Sequence, residues 1–267
     1  MDKVKIMGII NITDDSFYDK SRVFTHQQIK DRISQMVSEG ADILDFGACS
    51  TRPGSTPVTQ EEEWRRISLA LGAYKEFLEE NASHMELLPE VSVDTFRSEI
   101  VRRTYREIGH FMVNDIAAGE DDPQMLPTVG ELGLDYVAMH KRGTPENMQQ
   151  HCEYNDVVED IIEYFREFDK RAAAAGVVDW ILDPGIGFSK TVEQNYQLLE
   201  ELEKFKVLGK EILVGISRKS FIYKKLGITP AEALPATTQL HKEIIAKGAT
   251  ILRVHDVAAA KEILKNS

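Results

Sequence analysis

Glu211-Ile212-Leu213-Val214-Gly215-Ile216-Ser217-Arg218-Lys219-Ser220 and Thr250-Ile251-Leu252-Arg253-Val254-His255-Asp256 decide the fold. Each is a short apolar run that stops abruptly in cationic and hydroxyl side chains. Runs this short, with helical patterns around them, read as parallel strands buried on both faces. Charges placed just past such strands collect at one rim of a sheet. Lys219, Arg253 and His255 there would form an anion site.

Outward from these stretches the same unit recurs. Val4–Ile10 is an apolar run ending in Asn11, and Ile43–Phe46 is a second, followed by the turn-rich stretch from Gly47 to Ser55. Leu88–Val93 ends in Asp94, Phe111–Val113 in Asn114-Asp115, Leu134–Met139 in His140, and Trp180–Leu182 in Asp183. Helical spacing separates them: Ile29, Ile33, Met36 and Val37; Trp64 to Phe77; Ile100, Val101, Tyr105 and Ile108; Val158, Ile161, Ile162, Phe165 and Phe168. Thr25 with Gln28, Thr59 with Glu62, and Thr191 with Gln194 have capping-box spacing. Pro230 follows Thr229 as a first-position helix proline, and a last helix runs from about Val257 to Leu264. Roughly eight strand-helix units joined by short turns predict an α/β fold, a TIM (β/α)8 barrel, as a single domain over residues 1–267. A doubly wound open sheet has the same alternation, but no G-x-G-x-x-G follows the first strand.

The bulk properties narrow the function. The chain has 267 residues, 42% hydrophobic and 28% charged, with a net charge of −12. That balance argues against a general nucleic-acid surface. Cys49 and Cys152 make neither a metal spacing nor a disulfide framework. The first residues lack a secretory pattern and no apolar run approaches membrane-spanning length, so the expected compartment is the cytoplasm.

In a barrel, every strand-end residue shares one rim, where barrel active sites are built. Two chemical subsets result. Asp94, Asn114 and Asp183 suit a flat heterocycle carrying N–H donors. Arg253, His255 and Lys219, with Arg52, suit phosphate or pyrophosphate. Asn11 offers an oxygen to a hard cation such as Mg2+. Taken singly, Asp94 and Asn114 read equally as helix caps and Asp183 as a turn residue. Asp45, Asp115 and Asp256 read as caps or rim partners, and His140 as a satisfied rim histidine.

The segments Met7–Thr13, Gly40–Asp45, Ser50–Gly54, Val91–Thr95, Val113–Ile116, Leu182–Phe188, Gly215–Ser220 and Leu252–Asp256 stand in this order over nearly the whole chain. In them the chain resembles the bacterial dihydropteroate synthase family, the sulfonamide targets of folate biosynthesis. The resemblance implies a homodimeric barrel that joins 6-hydroxymethyl-7,8-dihydropterin pyrophosphate to 4-aminobenzoate. It implies that Asp94, Asn114, Asp183 and Lys219 hold the pterin, with Met139 and Phe188 lining its pocket. Asn11 would meet Mg2+, and Arg253, His255 and Arg52 the pyrophosphate. Phe17, Thr51, Pro53 and Ser217 would line the aminobenzoate site, and Asp15 would lie on a closing first loop. Asp15, Asp183, Lys219 and Arg253 would carry the catalysis. On this division Arg253→Ala is expected to weaken pyrophosphate binding and to spare bare dihydropterin.

The chain departs from the family at Asp14, where proline is usual, at Lys20-Ser21 (usually glycines), and at Ala48-Cys49 (usually Gly-Glu). These departures fall on the loops and predict altered aminobenzoate or sulfonamide affinity, with pterin binding kept. A pterin-binding methyltransferase would not need Lys219, Arg253 and His255 for pyrophosphate. A non-catalytic pterin-binding homologue is the remaining alternative.

Overall fold

The computed structural model describes residues 4–12, 25–49, 58–81, 88–144 and 146–265. The sequence-predicted residues Asp15, Phe17, Thr51, Arg52 and Pro53, and the departures at Asp14 and Lys20-Ser21, lie outside them. Eight parallel strands alternate with helices, as expected. The strands are β1 (Lys5–Asn11), β2 (Ile43–Gly47), β3 (Glu90–Asp94), β4 (Met112–Asp115), β5 (Asp135–Met139), β6 (Trp180–Asp183), β7 (Leu213–Val214) and β8 (Ile251–Val254). The helices are α1 (His26–Glu39), α2 (Gln60–Asn81), α3 (Ser98–Ile108), α4 (Met125–Leu132), α5 (Val157–Ala174), α6 (Val192–Glu200), α7 (Ser220–Leu226), α8 (Leu234–Lys247) and α9 (Val257–Lys265).

The sheet runs β6-β5-β4-β3-β2-β1-β8-β7. Its two edges meet through a bridge between Leu182 and Ile212, where the Leu182 N–H donates to Glu211 O at 2.9 Å. The strands thus follow chain order around a circle, the arrangement of a TIM (β/α)8 barrel.

Strand alternation divides the interior. Met7, Ile43, Met112, Val137, Ile181, Leu213 and Ile251 form one apolar cluster, a plug drawn from seven of the eight strands. Two residues further along six of these strands stand Ile9, Asp45, Asn114, Met139, Asp183 and Arg253. One pleat above the plug the lining therefore turns polar. The opposite strand faces, including Leu44, Phe46, Val93, Val113, Tyr136 and Leu252, pack in the larger core with the helices.

The predicted caps are present at α1 and α6, where both halves of each box form. At α2 only half of the predicted box is made. Thr59 Oγ1 accepts from the Glu62 N–H (3.2 Å), while the Glu62 carboxylate turns to Arg65 and Arg66. The strand expected over Glu211–Ile216 shrinks to Leu213–Val214, because the chain leaves the ladder to reach a left-handed turn at Arg218 (φ 58°). Leu88, expected in β3, is exposed ahead of it, and Tyr105 lies on the wet side of α3. No helix among the described residues is long and apolar enough to cross a membrane.

Candidate active site

The polar layer converges on one buried carboxylate, Asp45 in the middle of β2. Its Oδ2 accepts from Arg253 Nε at 2.7 Å and from Asn114 Nδ2 at 3.2 Å, and its Oδ1 accepts from Ser92 Oγ at 2.7 Å. Arg253 also donates from Nη2 to Asp94 Oδ2 at 2.7 Å. Four strands are tied in this way: β2, β3, β4 and β8. The bond to Asp45 fixes the Asn114 amide with its nitrogen towards β2, which leaves its carbonyl oxygen as the acceptor offered elsewhere.

One guanidinium here answers two bonded carboxylates, with Asp183 nearby. Burial raises the Asp94 carboxyl above the ordinary range; Arg253 pulls it down, and Asp45 adds to the rise. Burial likewise raises Asp183, against the attraction of Lys219 and the N–H of Gly185.

On the far side of the rim, Asp183 ends β6 and Lys219 follows β7. Lys219 Nζ donates to the Ile186 carbonyl and stands 4.7 Å from the centre of the Phe188 ring. Burial lowers Lys219 to about 8, although Asp183 favours its charged form. Phe188 is half-buried on the β6–α6 loop, and Met139 is buried at the end of β5. The loop between them is tight. Gly185 has φ 71°, and a Cβ on it would fall 1.9 Å from the His140 carbonyl oxygen. Only glycine fits that position.

Ser217 and His255, expected at different substrates, are joined here. Ser217 Oγ lies 3.2 Å from His255 Nδ1 and accepts from the His255 N–H at the same distance. Arg218 beside them makes a two-point pair with Asp256, with bonds of 2.6 and 3.2 Å. Asn11 is exposed at the end of β1. The structure thus brings Asn11, Asp94, Asn114, Met139, Asp183, Phe188, Ser217, Lys219, Arg253 and His255 to the strand-end rim.

Several quieter readings hold. Asp115 points away from the lumen, where its carboxylate accepts from the N–H groups of Ala117 and Gly119 and from Tyr136 Oη (2.6 Å). It is a cap, as Asp256 is a rim partner. Burial pushes the Cys49 thiol up to about 12, which makes it a poor nucleophile. Ser92 and Lys190 are not among the sequence-predicted residues. Ser92 sits two residues before Asp94, so strand alternation could have found it. No local pattern marks Lys190, whose partners come from the end of β5 and from its own loop.

The organisation matches known proteins. The family model described as "Pterin binding enzyme" matches residues 7–255. The dihydropteroate synthase of Escherichia coli K12 is 36% identical over 265 residues, covering 97% of this chain and 89% of that protein. Dihydropteroate synthase of Thermus thermophilus, solved in complex with 4-aminobenzoate, superposes with a TM-score of 0.84 at 35% identity, covering 99% of this chain and 93% of that one. The Yersinia pestis enzyme, solved with a sulfonamide drug complex, gives 0.88 at 32% identity, with 99% and 93% covered. With a family match over nearly its whole length and a relative 36% identical over 97% of it, the chain belongs to the pterin-binding enzymes, and within them to the dihydropteroate synthases.

Proposed function

We propose that the rim condenses 6-hydroxymethyl-7,8-dihydropterin pyrophosphate with 4-aminobenzoate, giving 7,8-dihydropteroate and pyrophosphate. The observation that carries this is the meeting of acceptors and cations in one polar layer. Asp94, Asn114 and Asp183 line the lumen as acceptors for the N–H edge of a flat ring, while Arg253, bonded to Asp94, and Lys219, near Asp183, bring positive charge beside them. The bond from the pterin methylene to pyrophosphate oxygen breaks with its electron pair on the leaving group. The aniline nitrogen forms the new C–N bond and loses a proton to the departing pyrophosphate. Negative charge from Asp183 and Asp94 favours the cationic methylene, and the rim cations favour the departing anion. A strong base is not needed. A methyl donor brings no pyrophosphate, so the methyltransferase alternative leaves the cations unexplained.

We place Mg2+ at Asn11. The asparagine supplies a hard oxygen donor, and Gly47 leaves the space open: a Cβ there would stand 3.3 Å from Asn11 Oδ1. Among the described residues no group of three His, Cys, Asp or Glu could hold a metal. A single amide oxygen with phosphate oxygens and waters suits Mg2+, which keeps much of its hydration. When bound, it neutralises charge on the leaving pyrophosphate. Thr51, Arg52, Pro53, Phe17 and Asp15 keep the roles the resemblance implies. We also propose a homodimer in the cytoplasm. Leu226 on α7 and Leu234 on α8, both exposed, offer apolar surface for the dimer, and sedimentation of the native chain tests it.

The decisive test is pyrophosphate release from the dihydropterin pyrophosphate, with and without 4-aminobenzoate. Release coupled to dihydropteroate formation supports a synthase. Pterin binding without any aminobenzoate-dependent product would leave only the non-catalytic homologue.

We further propose that Arg253 serves both subsets, because its guanidinium is bonded to Asp45 and to Asp94, which would face the ring. Arg253→Ala should weaken bare dihydropterin as well as pyrophosphate, since it strands the buried Asp45 charge at a cost of about 3–5 kcal/mol. Arg253→Lys should not rescue, because a single ammonium cannot reproduce the fork that serves both carboxylates. Calorimetry with dihydropterin alone checks this; unchanged affinity in Arg253→Ala would refute it.

A further inference from the structure

Lys190 is buried at the end of the Phe188 loop, and no step above uses it. Among the described residues no carboxylate lies within ion-pair distance of its amine. Its Nζ instead lies 2.9 Å from the Phe188 carbonyl oxygen, 3.0 Å from His140 Nδ1 and 3.5 Å from the His140 carbonyl oxygen. With Lys190 donating, His140 carries its proton on Nε2. His140 is itself held edge-on by Tyr164, with ring centres 4.8 Å apart.

A buried amine is costly, and an apolar side chain of similar length would fill the same space without that cost. Its position gives it a use. The loop from Pro184 to Lys190 passes through the left-handed region at Gly185, Gly187 and Ser189, and two of these three are glycines with little stiffness of their own. The loop must therefore be held from outside. Lys219 holds it from the substrate side, at the Ile186 carbonyl and the Phe188 ring. Asn195 Oδ1 accepts from the Gly187 N–H at 2.6 Å, and Ser189 is held by the Arg142 N–H (2.8 Å) and by Tyr154 Oη (3.1 Å). Among the described residues only Lys190 reaches the Phe188 carbonyl from behind, and through His140 it ties that carbonyl to the end of β5.

We propose that Lys190 and His140 form a positioning pair that sets the Phe188 wall against which the pterin ring lies. This rests on the pterin reading of the site. The pair touches no substrate. It acts by fixing the Phe188 carbonyl, so its loss should fall on the pterin and spare the aminobenzoate.

The test compares Lys190→Met, His140→Leu and His140→Gln with the native enzyme. Lys190→Met should raise the KM for dihydropterin pyrophosphate about tenfold, the loss expected when a buried hydrogen-bonding partner is removed. The KM for 4-aminobenzoate should stay within about twofold, and hydrogen exchange should quicken at the amides of the Phe188 loop and not elsewhere. His140→Gln keeps a side-chain acceptor for Lys190 and should stay near native, whereas His140→Leu should reproduce the defect. Unchanged pterin KM in a folded Lys190→Met, or equal effects of His140→Leu and His140→Gln, overturns the pair. The histidine variants still decide the matter if Lys190→Met fails to fold. If the native chain turns over no pterin substrate, the reading of the site fails, and loop exchange still judges the pair by itself.

Discussion

Asp45→Asn should lower kcat/KM for the pterin substrate by about 100- to 1,000-fold while the barrel stays folded. The substitution keeps shape and removes one charge, yet that charge organises the lumen. Arg253 loses the anion that its Nε faces, and the Asn114 amide loses the acceptor that sets its orientation. Ser92 keeps an acceptor, because an asparagine oxygen can serve it. The damage should therefore reach residues on β4 and β8 that are not mutated. A loss of that size is about 2.7–4.1 kcal/mol, within the cost of disrupting a buried ion pair and softened because Arg253 keeps its bond to Asp94. Asp45→Leu should do worse, since Ser92 then loses its acceptor as well. Steady-state kinetics with a thermal melt check this. A folded Asp45→Asn within about fivefold of native would show that Arg253 and Asn114 hold their places without it.

The second large effect concerns Lys219 and carries a pH signature. Lys219→Met removes the cation opposite Asp183 and the tether to the Ile186 carbonyl, so turnover of the pterin substrate should fall by about 100-fold. In the native chain burial lowers Lys219 to about 8, with Asp183 opposing and Arg253 assisting. A lysine so lowered is charged below that pH and neutral above it. Its contribution to pyrophosphate binding should be present in neutral solution and lost as pH rises through about 8. Asp94 works in the opposite sense. Burial holds its carboxyl above the ordinary range, so its charge is lost first as pH falls. The profile of kcat/KM, which reports the free enzyme, should have limbs on both sides. In Lys219→Met the alkaline limb should disappear and the acid limb remain. An alkaline limb that persists in the variant would assign it to another group.

Much of the barrel and its rim is legible in the amino-acid sequence. Strand ends such as Asp94, Asn114 and Asp183 stand out because each interrupts an apolar run at the same phase, and a barrel has only one place for that phase. Asp45 shows as a polar residue inside Ile43–Phe46, and its reading as a partner holds. Its command of the site does not show, because its bonds reach Ser92, Asn114 and Arg253, residues distant in the chain. The same distance conceals the bonds of Arg253 to Asp45 and Asp94, because its sequence neighbours place it with the phosphate cations alone. Lys190 is beyond reach for a different reason. Nothing in the run Gly187-Phe188-Ser189-Lys190 says whether the amine turns to water or inward. The expected length of β7 is too great because Gly215 and Ile216 look like strand and leave the ladder only to reach Arg218.

That short strand has a consequence for how the barrel is laced. Neighbouring staves elsewhere are joined by ladders, while β6 and β7 meet through the single bridge between Leu182 and Ile212. Asp183 stands at the end of one stave and Lys219 just past the other, so the weakest seam runs beneath the proposed pterin pocket. A ligand gripped by both acts as a stitch across it. Breathing of the barrel and occupancy of the pocket then become one equilibrium, and substrate tightens the wall that it binds.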